Sequence, residues 1–74
     1  MKFADIADLP EDERISIIGR YAESGIVIAF IVDDDEKADR YIRKLRQRHK
    51  VRVISRGPGP VAQSVAVKVG PLEN

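Results

Sequence analysis

Apolar residues recur along this chain in two rhythms, and the switches between them mark its elements. Ile15, Ile18 and Ala22, joined by Ile17 and Tyr21, return at spacings of three and four, one face of a helix. Pro10 suits a first helical position because its missing N–H would be unpaired there. Glu11, Asp12 and Glu13 complement the positive end of the helix dipole, and Gly25 supplies a left-handed residue to end the helix. These signals predict a helix over 10–24, with a single helical turn before it over 3–7.

Residues 26–32, IVIAFIV, are β-branched, apolar on both faces and too short for a helix, so they predict a strand. Ala38, Tyr41, Ile42, Leu45 and His49 then make a narrow apolar stripe at helical spacing over 34–49, with Arg40, Arg43, Lys44 and Gln47 on the opposite side. A second strand is predicted over 51–56 and a third over 61–69, joined by a turn at Gly57, Pro58, Gly59 and Pro60. In the third strand Val61, Gln63, Val65, Val67 and Val69 share one face and Ala62, Ser64, Ala66 and Lys68 the other, the pattern of a sheet buried on one side. The order α-β-α-β-β predicts an α+β fold, two helices packed on a small three-stranded mixed sheet.

Length changes this picture in one respect. A 74-residue chain is expected to be one domain with a thin core, and without cysteine it has no disulfide, thiolate ligand or thiol nucleophile. Such a chain relies on tight packing or on a partner subunit. The residue 26–32 strand sharpens that point. In a three-stranded sheet with strands two and three joined by a short turn, it lies at an edge, yet it carries no charge or proline to blunt pairing. Three arrangements protect it: strand three crossing beside it, the N-terminal turn at Phe3 and Ile6 covering it, or a second copy of the chain. The expectation adopted is a homodimer paired through Ile26, Ile28 and Phe30, with the small residues Ala62, Ser64 and Ala66 leaving a flat face beside it.

The start MKFADIADLPEDE has no apolar run of signal-peptide type, and the seven apolar residues 26–32 are far short of the roughly 20 needed to cross a bilayer. Cytoplasmic residence and no membrane association are expected. Charge adds an asymmetry: residues 1–39 carry 4 basic and 11 acidic side chains, and residues 40–74 carry 9 basic and 1 acidic. Either the two halves neutralise each other within the fold or the basic half faces an acidic partner.

Asp33, Asp34 and Asp35 stand where the chain passes from strand to helix. Asp33 is expected as the helix N-cap, with Glu36 at capping-box spacing and Asp34 and Asp35 in the first turn. The competing reading, Mg²⁺ and a phosphate held by Asp33 and Asp35 in a phosphoryl-transfer enzyme, lacks any converging catalytic group or glycine-rich phosphate loop. His49 is expected to cap the end of the second helix. No enzyme activity, metal or cofactor is expected.

Between Arg40 and Arg56 there are eight Lys and Arg and no acid, the electrostatic footprint of a phosphate- or carboxylate-binding surface. Tyr41 is the one aromatic there and lies on the apolar stripe, which disfavours base stacking. The resulting expectation is a small binding module that meets nucleic acid or an acidic protein through Arg40, Arg43, Lys44, Arg46 and Lys50. The alternative is a dimeric adaptor or inhibitor that binds a protein target through its acidic N-terminal half.

Overall fold

The computed structural model describes residues 2–3 and 9–72. The elements run β1 (Lys2–Phe3), α1 (Glu11–Glu23), β2 (Ile28–Val32), α2 (Asp35–Arg48), β3 (Val51–Pro58) and β4 (Val65–Pro71). The two helices and the strands β2, β4 and β3 form the expected α+β arrangement. β4 lies in the middle, antiparallel to both neighbours, and β1 adds a two-residue parallel strand outside β2, giving the order β1-β2-β4-β3. The sheet is therefore mixed, with four strands rather than three.

The strand at 26–32 begins two residues later than expected because α1 ends in a Schellman motif. Gly25, at φ +99°, donates its N–H to the Ala22 carbonyl, and Ile26 donates to Tyr21 at 3.1 Å. Ile26 is thus spent on closing the helix. Within β2, Ile28, Phe30 and Val32 turn toward the helices and are buried in the core, so Ile28 and Phe30 contribute no side chain to an outer surface. β2 lies outermost of the three long strands, as expected, and β1 takes its outer edge at Ile28 and Ala29. The helical turn expected over 3–7 is not formed at Phe3, which pairs as a strand; residues 4–8 lie outside the described residues.

The hairpin also differs. β3 continues through Gly57 and Pro58, and the connection is 59–64 rather than 57–60. β3 is an edge strand, where proline's missing N–H need not interrupt a ladder. Gly59 donates to the Ser64 carbonyl at 2.9 Å, Gln63 takes φ +71°, and the Ser64 hydroxyl donates to the Val61 carbonyl at 2.6 Å. Val61, Ala62 and Gln63 therefore sit exposed in the loop, and the expected alternation starts only at Val65.

One apolar layer joins the elements: Ile15, Ile18 and Ala22 from α1, Ala38, Tyr41 and Leu45 from α2, and the inward residues of the sheet. Among the described residues no polar or charged residue is buried. Phe30 and Tyr41 stack with ring centroids 5.6 Å apart, and the Tyr41 hydroxyl accepts a hydrogen bond from Arg14 Nη1 at 3.3 Å. Among the described residues no helix covers the sheet's other face. Ala29, Ala66 and Gly70 make it flat, and Ile31 and Ile54 stand exposed on it.

The aspartate turn is shifted by one residue from expectation. Asp34, not Asp33, is the N-cap, its Oδ1 accepting from the Lys37 N–H at 2.8 Å. The β2 ladder ends at Val32, and two residues are needed to turn from strand to helix, so the helix starts one position late. Glu36 then falls at the second helical position and cannot complete a capping box with Asp33. Asp33 instead pairs with Lys37 Nζ at 3.1 Å on the surface. Asp34→Ala should accordingly cost about 1 kcal/mol in urea unfolding, the usual loss of an N-cap. Asp33→Ala should cost at most about 0.5 kcal/mol, the worth of an exposed helix pair. Equal losses would contradict the assignment of the cap.

Candidate partner-binding groove

α2 carries its charges on two flanks, one on each side of the buried stripe of Ala38, Tyr41 and Leu45. Arg40, Lys44 and Arg48, spaced by four, face α1. The Glu11 carboxylate accepts from Arg40 Nε at 2.8 Å and Nη2 at 2.7 Å, a bidentate pair, and from Lys44 Nζ at 3.2 Å. Asp12 accepts from Lys44 and Arg48, each at 3.3 Å. At the far end His49 Nδ1 meets Glu23 Oε1 at 2.8 Å, and Glu23 also accepts the Lys50 N–H at 3.1 Å. These contacts run in the same order along both helices, which therefore lie side by side in the same sense. The His49 ring, at the C-cap of α2, packs directly over Gly19 of α1, where a Cβ would overlap it.

The hydrogen bonds from Arg40, with Lys44 adding to them, hold the Glu11 carboxyl down at about 2, well below its ordinary 4.5. Lys44 and Arg48 lower Asp12, and His49 with the Lys50 N–H lowers Glu23. Hydrogen bonds from Arg56 to Asp39 at 2.6 Å and Asp35 at 3.0 Å raise the Arg56 guanidinium in turn. Much of the basic segment is thus neutralised within the fold.

The second flank of α2 is different. Asp39, Ile42, Arg43, Arg46 and Gln47 lie along it at helical spacing, and with Val53 and Arg56 of β3 they line an open groove of about 580 Å³. Ile42 and Val53, both half-buried and packed against the core, form its apolar floor. Arg56 is committed to Asp39 and Asp35. Arg43 and Arg46 are exposed, and neither has a hydrogen bond or ion pair among the described residues. The groove lining thus holds three guanidinium groups and one carboxylate, and two of the guanidinium groups are uncommitted among the described residues.

The five expected contact residues are therefore divided. Arg40 and Lys44 are held by α1, Arg43 and Arg46 line the groove, and the Lys50 side chain is exposed beyond the helix end. The groove's apolar floor and the contribution of β3 were not visible as a site in the sequence. Ile42 reads there as part of the apolar stripe of the second helix and Val53 only as a residue of the second strand, and it is the packing of α2 beside an edge strand that brings them together with Arg56. At the aspartates, Asp35 pairs with Arg56, and among the described residues no group of three or more His, Cys, Asp or Glu converges as a metal site would require. No helix among those residues is long and apolar enough to cross a membrane. Comparison with protein-family models, with curated proteins and with solved structures finds no match to this chain.

The depressed Glu11 carboxyl gives a signed pH dependence. Its folded-state value lies below the unfolded one, so its contribution is present above about 4.5 and is lost as pH falls toward about 2. Glu11→Gln should cost on the order of 1 kcal/mol at neutral pH, discounted for the water both partners still meet. It should also flatten the loss of urea stability across that acid window, leaving the smaller contributions of Asp12 and Glu23. An unchanged acid slope in the variant would contradict the pairing.

Proposed function

We propose that the chain is a non-enzymatic binding module that receives an acidic partner in the groove between α2 and β3. The observation that carries this reading is the pair Arg43 and Arg46. The cations beside them on α2, Arg40, Lys44 and Arg48, are matched by carboxylates of α1, while these two stand exposed and uncommitted beside an apolar floor. Charge left over in a largely self-neutralised surface favours an external anion, and the floor of Ile42 and Val53 offers burial that a solvated helix face would not. The contact set is narrower than the whole basic face: Arg43 and Arg46 lead, Lys50 extends the positive field, and Arg40 and Lys44 are structural. The acidic N-terminal half, by contrast, spends Glu11, Asp12 and Glu23 inside the fold, which leaves it less suited to contact a target.

Charge reversal tests the reading. Labelled polyglutamate, a labelled DNA duplex and a labelled single strand are titrated at low salt by fluorescence anisotropy. At least one polyanion should bind with an affinity that falls as salt rises. Arg43→Glu with Arg46→Glu should weaken that binding by about 100-fold or more, at roughly 1.4 kcal/mol for each reversed contact. Arg20→Glu, a single reversal on an exposed α1 position and so half that charge change, should leave it within a few-fold, and each of Arg43→Glu and Arg46→Glu alone should weaken it by more. Binding unaffected by the double variant, or no binding to any of the three, would end the proposal.

A further inference from the structure

Beside the groove lies the free edge of β3. This strand is the longest of the sheet at eight residues and stands last in the strand order, so no strand pairs with its outer side among the described residues. An open edge of that length is a template for another strand. The groove runs along it, with Val53 and Arg56 from the strand itself and Arg43 and Arg46 from the helix above. Resting on the acidic-partner reading, we infer that the partner is an extended acidic peptide segment that adds to β3 as a further strand, its carboxylates on one face meeting Arg43 and Arg46.

Three observations favour this occupant. Alternate side chains of a strand point to the same face about 6.8 Å apart, so a segment with acids at every second position presents a row of carboxylates to the helix while its backbone pairs with β3. The floor of Ile42 and Val53 takes the aliphatic stems of those side chains. The same edge disfavours a second copy of this chain, because pairing β3 with itself would bring the uncommitted Arg43 and Arg46 of both copies toward one another. The bulge between Val53 and Ser55, and Pro58 with no N–H to offer, confine the ladder an added segment can form to the stretches on either side of the bulge. Only a partner of opposite charge turns these arginines from a barrier into an attraction. A duplex gains from the charge but makes no use of the strand edge.

Backbone methylation separates strand addition from simple ion attraction. The probe is an end-capped peptide of alternating threonine and glutamate, matched to the eight residues of β3. It is compared with an isomer of the same composition whose glutamates are consecutive. The alternating peptide should bind about tenfold more tightly, and Arg43→Glu with Arg46→Glu should abolish that binding. Methylating the backbone nitrogens along one edge of the peptide should weaken binding about tenfold or more, and methylating the other edge should not, because only one edge donates to β3. Equal affinity of the two isomers, or methylation effects that do not depend on the edge, would overturn strand addition while leaving the acidic groove standing. A duplex that binds more tightly than either peptide and depends on Arg43 and Arg46 would replace the peptide with nucleic acid. No binding of any probe would overturn the groove and the strand together.

Discussion

Glu11 opens α1 with both carboxylate oxygens engaged by Arg40 and a further hydrogen bond from Lys44, and that contact sets which cations remain for anything else. Exposed ion pairs are individually weak, but the bidentate Arg40 guanidinium on Glu11, together with the Lys44 ammonium shared between Glu11 and Asp12, ties this flank of α2 to α1. Once Arg40, Lys44 and Arg48 turn toward α1, the apolar stripe of Ala38, Tyr41 and Leu45 faces the sheet. Arg43 and Arg46 are then left on the side of β3. The charge asymmetry along the sequence is thus resolved in two ways within one helix: one flank closes the fold and the other stays available.

The same rotation explains what could and could not be read from the sequence. The helix at 10–24 and its end at Gly25 were legible because proline, a cluster of acids and a left-handed glycine each act locally. The stripe on α2 was legible from its spacing, and so was the α+β order. Long-range pairing was not. Nothing local distinguishes Arg40 from Arg43, since both lie off the apolar stripe; the difference is that Glu11, 29 residues earlier, reaches only one of them. Asp33 and Asp34 are equivalent as caps by residue type, and the end of the β2 ladder at Val32 decides between them. Val61 fits a strand by type, but Gln63 in a left-handed conformation and the Ser64 hydroxyl bonds hold it in the loop.

The groove joins parts that serve the fold for separate reasons. Ile42 and Val53 extend the core outward, Arg56 anchors β3 to the first turns of α2 through Asp35 and Asp39, and β3 ends the sheet. Their coincidence at one edge gives an apolar floor, surplus positive charge and unpaired strand backbone in one place. Each feature alone is common on small domains; together they are what the proposed acidic, extended segment would meet at this edge.

The central claim is that the two flanks of α2 do different work, and amide chemical-shift mapping tests it most directly. Titrating labelled protein with polyglutamate at low salt should shift the amides of Arg43, Arg46 and Gln47 on α2 together with those of Val53 to Arg56 on β3. The amides of Glu11, Asp12 and Arg40 should stay in place. Shifts centred on Arg40, Lys44 and Arg48, with β3 unmoved, would show that the paired flank is the one that opens to the partner and would contradict the division.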